Sequence, residues 1–446
     1  IPAAKCKPVA ISVPAGIIGS RNYKKAAGPV PAGRGVSMYE NTEQKQTALL
    51  VCVDTGEFDA QVSIDELEEL SYTAGAQVAG KVIQRRESLD PSTCVGSGRL
   101  EEIKEFCQAN DVNLLIFDHE LTAVQQRNIE RETDLAVIDR TTLILDIFAQ
   151  RARSKEGKLQ VELAQQKYLL PRLMGLGQSL SRLGGGIGTR GPGESKLESD
   201  RRHIRRRIQS LEGQLEEVRR HRELLRRRRK KDGVITVAIV GYTNVGKSTL
   251  LNTLTDAGVL AEDKLFATLD PTARALKLPD GRSVMLVDTV GLIRRLPHHL
   301  VEAFHSTLEE AVEADLILNV CDISSEETLA QIETTRQVLQ ELGAGDKPVV
   351  TVLNKCDKLS QMPLVLEKGC VFISAKTGFG LEKLLEAIEK ALPPTHLRLK
   401  LMIPFDKAAI YSRLKDSSVV YAEEYTPHGI LVDALVDMKM LHEVEG

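Results

Sequence analysis

Gly241-Tyr242-Thr243-Asn244-Val245-Gly246-Lys247-Ser248-Thr249 decides how this chain folds. The stretch fits G-x-x-x-x-G-K-[ST], a phosphate-binding loop. Val234–Val240 before it is β-branched and apolar and reads as a buried strand, and Thr249–Leu254 after it reads as a helix. In that strand–loop–helix setting the glycines let the backbone wrap a polyphosphate, and successive N–H groups form an anion nest at a helix N-terminus. Lys247 supplies a point charge for the β and γ phosphates, and Ser248 offers its hydroxyl to Mg²⁺.

Further elements follow in the order this loop requires. Asp288-Thr289-Val290-Gly291 ends the strand Ser283–Val287; Asp288 is placed to hold Mg²⁺ through water, and the Gly291 N–H to meet a γ-phosphate. Asn354-Lys355-Cys356-Asp357 follows the strand Val349–Leu353. A carboxylate there accepts from N1–H and the 2-amino group of guanine, donors that adenine lacks. Ser374-Ala375-Lys376 follows Val371–Ile373 and completes the base pocket. The set resembles the translation-factor-related GTPases, with GTP as the substrate and Mg²⁺ as the cofactor.

The 446 residues suffice for about three domains. Seven scattered cysteines form no CxxC pair, which points to a reducing compartment and away from a disulfide frame or zinc site. No apolar run is long enough to span a bilayer, so no spanning helix is expected. The chain begins with Ile1, which leaves a processed end or a lost targeting segment open. Net charge is −3, but Arg201–Lys231 carries 14 Lys/Arg and 4 Asp/Glu, a balance of +10, so the remainder is strongly acidic. One basic rod on an acidic protein suggests a local polyanion contact.

Residues 1–45, rich in Pro, Gly, Ala and Lys, read as a flexible leader. Residues 46–154 alternate strand and helix and predict a small α/β domain with a mostly parallel sheet. Its first helix is expected over Ser63–Ala74, capped by Ser63 with Glu66 three residues on. Val95-Gly96-Ser97-Gly98-Arg99-Leu100 reads as a tight glycine turn before a helix, with a phosphate site the alternative, although it lacks the full G-x-G-x-x-G. Residues 155–232 predict an antiparallel, coiled-coil-like helical hairpin. Ile204, Ile208, Leu211, Leu215, Val218 and Leu225 keep a 4-3 spacing that only Arg222 breaks. The segment joining its helices, Gly175–Lys196, holds eight glycines and reads as an open tip. Arg182, Arg190 and Lys196 among those glycines, with Arg201, Arg202 and Arg205 behind them, suit RNA better than a linker does. The GTPase-type domain covers 233–393. A small α/β domain over 394–446, with a strand, a helix and a hairpin, is expected to serve docking.

The run from Leu183 through Gly184-Gly185-Gly186-Ile187-Gly188-Thr189-Arg190-Gly191-Pro192-Gly193-Glu194-Ser195-Lys196 to Ile208 resembles the hallmark of the HflX GTPases. Leu170–Leu173, Val95–Leu100, Phe266–Thr272 and Leu296–Phe304 are similar to that family too. The resemblance covers residue 47 to the C-terminus and says nothing of residues 1–45. It implies a ribosome-associated, cytoplasmic GTPase, expected as a monomer. Such a protein binds the large subunit near the peptidyl-transferase centre and dissociates stalled or idle ribosomes into subunits. It also implies a first switch over Ala261–Pro271, with Phe266, Ala267 and Thr268 at the nucleotide. Thr268 is favoured to close on Mg²⁺ and γ-phosphate, with Thr272 the runner-up. Lys247, Thr268 and Gly291 are then the expected catalytic groups.

Ras-like GTPases place a Gln after the Gly291 position to orient water. Here Leu292 stands instead, which predicts slow intrinsic hydrolysis stimulated by the ribosome. His298 and His299 follow in the second switch and read as ordinary helix residues, with the positioning of water on the ribosome by one of them the alternative. Two other functions stay open from sequence. One is a signalling switch whose basic rod is only a solvated helix. The other is an RNA-remodelling NTPase whose N-terminal domain holds a second nucleotide.

Overall fold

The computed structural model describes residues 46–181, 192–255, 265, 266, 268–295, 309–359, 369–392, 396–405, 408–417 and 419–437. The expected leader, Arg182, Arg190, Ala267, His298 and His299 lie outside the described residues, and the placement of the Lys196 side chain is likewise outside them. The chain divides into two compact units at Leu384/Leu385. Among the described residues no helix is long and apolar enough to cross a membrane.

The first unit opens with a four-stranded sheet. Its strands are β1 (Thr47–Asp54), β2 (Gln77–Arg85), β3 (Leu114–Phe117) and β4 (Ala136–Asp139), in the order β2-β1-β3-β4 with every pair parallel. β1 and β3 are continuous apolar runs, as strands covered on both faces must be. Leu49, Val51, Val53, Leu115 and Phe117 pack with Leu100, Ile103 and Ile129 into one core. The helices are α1 (Ala60–Thr73), α2 (Ser97–Ala109), α3 (Ala123–Thr133) and α4 (Arg140–Arg151). Thr122 caps α3 in a complete capping box with Gln125. The cap of α1 corrects the sequence reading. Asp59, not Ser63, accepts from the N–H groups of Gln61 and Val62. Ser63 lies inside the helix, buried, and donates to Asp118 Oδ2 at 2.7 Å. The expected cap had the right residue type, one turn too late.

α5 (Lys155–Ser181) and α6 (Pro192–Lys231) form the helical pair. Their contacts run antiparallel: Glu156 meets Arg222, Lys167 meets Glu212, and Leu173 O accepts from Arg201. Helix continues through Gly175 and Gly177 and restarts at Pro192, so the segment between helices is shorter than the glycine content suggested. Pro at the first helical position suits such a start, because its missing N–H is an orphan there anyway. Leu211 and Ile204 are buried along the seam, while Leu225 is exposed. Arg222, the break in the spacing, is where the seam hands over from α5 to the next domain. It pairs with Glu156 and with Glu309.

A second, six-stranded sheet follows. Its strands are β5 (Ile235–Gly241), β6 (Thr272–Lys277), β7 (Ser283–Asp288), β8 (Leu316–Asp322), β9 (Val349–Asn354) and β10 (Val371–Phe372), in the order β10-β9-β8-β5-β7-β6. Only the β6 edge runs antiparallel. β5 sits where the strand order reverses, the place where open α/β sheets take ligands at their carboxyl ends. The loop after β5 leads into α7 (Lys247–Thr255).

The second unit holds an antiparallel sheet of β11 (His396–Ile403), β13 (Gly429–Asp437) and β12 (Val419–Thr426), in that order, with the helix Ala408–Ser417. Ile403, Leu414, Ile430, Val432, Ala434 and Val436 form its core.

Candidate nucleotide-binding site

Gly241 sits at φ +151, where an added Cβ would lie 2.1 Å from the carbonyl oxygen of Val320 on β8. No other residue fits between these strands. Gly246 adopts φ +96, and its missing Cβ leaves the space taken by Asn354 Nδ2. Asn244 also turns left-handed, at φ 61, a region that Asn tolerates better than most side chains. These dihedrals curl the loop around a cavity of about 320 Å³.

Lys247 is buried on that cavity floor and donates to the carbonyls of Gly241 and Tyr242, at 3.1 and 2.6 Å. Burial pulls its ammonium down to about 8, against the pull of Asp288. Beside it, Ser248 Oγ donates to Asp288 Oδ2 at 2.7 Å and lies 2.9 Å from Thr268 Oγ1. Burial raises the Asp288 carboxyl, partly offset by Lys247 and Ser248. Its Oδ1 is buried with no hydrogen-bond partner. Three oxygens with one orphaned lone-pair set are the donor chemistry of a hard divalent cation. Thr272, the alternative to Thr268, begins β6 opposite Asp288 in the ladder.

The far end of the cavity is built from two loops tied to the first. Asn354 Nδ2 donates to Val245 O at 2.8 Å, and Asn354 Oδ1 accepts the Ala375 N–H at 2.9 Å. Lys355, at φ 67, reaches Asp322 at 2.7 Å. Ser374 Oγ donates to Asp357 Oδ1 at 2.6 Å, and this bond holds the carboxyl below its ordinary range. Asp357 is exposed and presents a fixed, ionised acceptor to the cavity.

Thr243, Asn244, Gly246, Lys247, Ser248, Thr249, Phe266, Thr268, Thr289, Gly291, Asn354, Lys355, Asp357, Ala375 and Lys376 line the cavity. Gly241, Tyr242, Val245, Asp288, Val290 and Ser374 stand behind that lining and shape it. Lys358 lines it too. Lys358 shares the 3₁₀ turn Cys356–Lys358 with Asp357 and adds to the residues expected from sequence. Leu292 is buried, and its backbone pairs with the phosphate loop: Leu292 N donates to Gly241 O at 3.0 Å, and Thr243 N to Leu292 O at 2.8 Å. Its side chain offers water no hydrogen bond.

The basic rod divides into two sets. Arg222 and Arg226 pair with Glu309 and Glu310, and Arg207 with Glu162, so these charges are committed within the chain. Arg202, Arg205, Arg206, Arg219, Arg220, Arg227 and Arg228 are exposed. Arg201 is half-buried and bonds Leu173 O, so among the described residues of the expected RNA-contact set it is the one drawn inward.

A phosphate loop with Ser248, Thr268 and Asp288 gathered beside it and Asp357 at the far end of the cavity, all on one doubly wound sheet, is the layout of a P-loop GTP hydrolase. Comparison with known proteins bears this out. The sequence models described as GTP-binding GTPase N-terminal, GTP-binding GTPase Middle Region and 50S ribosome-binding GTPase match residues 61–149, 151–229 and 236–355. A GTPase HflX of Caldanaerobacter subterraneus subsp. tengcongensis is 52% identical over 402 residues, 90% of this chain and 94% of that protein. GTPase HflX of Escherichia coli is 41% identical over 392 residues, 86% of this chain and 92% of that one. A solved GTP-binding protein of Sulfolobus solfataricus in complex with GDP is 28% identical, covering 78% of this chain and 98% of its own, at a TM-score of 0.43. The chain belongs to the HflX family of GTPases.

Proposed function

We propose that this GTPase binds the large ribosomal subunit in its GTP state and dissociates stalled or idle ribosomes, with hydrolysis releasing it. The observation that carries this reading is α6. It is a 40-residue helix whose exposed arginines form a basic stripe on an otherwise acidic chain. Phosphate backbones are the polyanion that such a stripe suits. A signalling switch acting on a protein effector has no comparable observation behind it. A second nucleotide in the N-terminal domain is disfavoured, because the crevice at the carboxyl ends of β1 and β3 is filled by Asp118, Arg140 and Arg295.

In the reaction, Ser248 and Thr268 would hold Mg²⁺ directly and Asp288 through water. The ion, when bound, neutralises charge developing on the β and γ phosphates. Lys247 neutralises the same oxygens, and the Gly291 N–H donates to the γ-phosphate. Asp357 selects guanine. With Leu292 in place of a water-orienting Gln, hydrolysis is slow alone, and the ribosome completes the site. Splitting draws on tighter binding of the GTP state to separated subunits, since a ligand shifts an equilibrium only by its differential affinity. The chain acts as a monomer in the cytoplasm.

Binding of purified large subunits across a salt series tests the reading. Affinity falls steeply with salt if RNA phosphates are the contact. A flat response, with capture of a protein effector instead, favours the signalling switch.

A further inference from the structure

The N-terminal sheet has the order expected of a ligand-binding α/β domain, and its crevice lies at the carboxyl ends of β1 and β3. What enters that crevice is a guanidinium from the GTPase domain. Arg295 Nη1 donates to Asp118 Oδ2 at 2.7 Å and to Ser63 Oγ at 3.0 Å. The same guanidinium stacks 3.8 Å over the Phe58 ring. Arg140 approaches from below. It donates to Asp118 Oδ1 at 2.9 Å, to Glu66, and to the backbone carbonyl of Arg294 at 3.2 Å. The Asp118 side chain is fully buried. Two guanidiniums thus meet two carboxylates around the buried Asp118 and Arg140, where losing one partner leaves a charge uncompensated.

Cys52, Asp118 and His119 bring potential metal-ligand atoms within 4.8 Å of one another. Both Asp118 oxygens are already given to guanidiniums, so a cation would have to displace an arginine. Burial and Arg295 push the His119 imidazole down to about 4, so it stays neutral and adds no third positive charge. The occupant this crevice fits is Arg295.

Arg295 lies four residues beyond Gly291, and the short stretch between them is held at both ends. At the near end Leu292 is bonded to Gly241 and Thr243. Gly291 has no slack there, since a Cβ on it would lie 2.6 Å from Thr243 Cγ2. At the far end Arg295 takes φ 46, a conformation costly for a long side chain, and Asp118 retains it there. The same structure has Thr268 Oγ1 2.9 Å from Ser248 Oγ, so the crevice contact accompanies a Thr268 that reaches the phosphate loop.

We propose that Asp118 is a positioning residue for the γ-phosphate. It holds Arg295, and through Arg295 it sets where the Gly291 N–H points. The N-terminal domain thereby takes part in telling GTP from GDP without touching either. This rests on the roles given above to Gly291 and Thr268.

The test is the affinity of the full chain for a non-hydrolysable GTP analogue and for GDP, in Asp118→Asn, Arg295→Ala, Arg295→Lys and the double variant Asp118→Asn/Arg295→Ala. Thr268→Ala serves as reference. Asp118→Asn and Arg295→Ala each weaken the analogue about tenfold, within the usual range of coupling between sites, and leave GDP within about twofold. Arg295→Lys, which keeps the charge, recovers most of the loss, and the double variant is no worse than either single one. If Thr268→Ala loses the analogue but Asp118→Asn and Arg295→Ala do not, this proposal fails and the site stands. If Thr268→Ala itself leaves the ratio unchanged, the assignment of the site fails first. Parallel loss of both nucleotides would overturn the proposal in favour of a merely structural role. Arg295 is partly exposed, so its variants answer the question even if Asp118→Asn does not fold.

Discussion

Replacing Asp357 by Asn should exchange guanine for xanthine. Asp357 is exposed on the 3₁₀ turn after β9, so the change leaves the core intact. One carboxylate oxygen already accepts from Ser374 at 2.6 Å, which fixes the plane of the group and leaves the remaining lone pairs for the base. Guanine offers two donors to them, N1–H and the 2-amino group. Hydrogen bonds to a charged group contribute about 1.5–3 kcal/mol each, and a donor facing a donor costs more than a bond merely lost. The amide keeps one acceptor and turns one donor toward the base. The expected loss is about 3–4 kcal/mol, or roughly 10²- to 10³-fold in Kd for GDP. Xanthine carries a carbonyl where guanine carries the amino group, so the amide N–H regains a partner. The xanthine nucleotide should then bind the variant within about tenfold of the natural pair, the remaining difference arising because neither bond is then charge-assisted. Displacement of a fluorescent nucleotide at fixed salt measures both. Guanine binding unchanged in the variant, or guanine and xanthine lost together, would refute Asp357 as the base reader.

Other consequences can be checked separately. The Lys247 ammonium, depressed to about 8 from 10.5 by burial, should regain its proton when a polyphosphate binds. GDP affinity should therefore fall as pH rises above 8, and calorimetry at pH 8.5 in two buffers should show proton uptake. The free protein is least favoured by this group below pH 8 and gains stability from pH 8 to 10.5, because the unfolded chain then holds the extra proton. Arg202, Arg205 and Arg206 changed together to Ala should leave thermal unfolding nearly unmoved and lower the salt slope of subunit binding by about 2. Arg226→Ala should instead destabilise the fold by about 3 kcal/mol, since it takes the charge partner from the mostly buried Glu310, whereas Arg222→Ala should cost less because Arg226 still pairs with Glu309. Asp270→Ala should cost about 1–2 kcal/mol by urea unfolding, because its carboxylate accepts the N–H groups of Arg153 and Ser154 at 2.8 Å each, at the start of α5.

The nucleotide cavity was legible because its residues fall in short, ordered runs after apolar strands. Gly241–Thr249, Asp288–Gly291, Asn354–Asp357 and Ser374–Lys376 each sit at the end of a strand whose pattern is plain. The N-terminal sheet was legible for the same reason, since continuous runs such as Leu49–Val53 suit strands covered on both faces. Features that depend on distant partners were not. Ser63 has the chemistry of a cap, yet its hydroxyl is used by Asp118, 55 residues away. Arg222 breaks the apolar seam because its partners, Glu156 and Glu309, lie 66 and 87 residues away in sequence. Asp118 and Arg295 are 177 residues apart, with no local pattern in either neighbourhood to announce the pairing. Glycine misled in the other direction: Gly175 and Gly177 lower helix propensity, but α5 packed on α6 carries them.

The central claim is that the GTP state of this chain grips the large ribosomal subunit through its basic helical pair. The most direct measurement is co-sedimentation with purified large subunits in a non-hydrolysable GTP analogue and in GDP, with GTP turnover followed on the same samples. The account predicts binding in the analogue, weak or no binding in GDP, and turnover raised by the subunit. Equal binding in both states, or no binding with turnover unchanged, would contradict it.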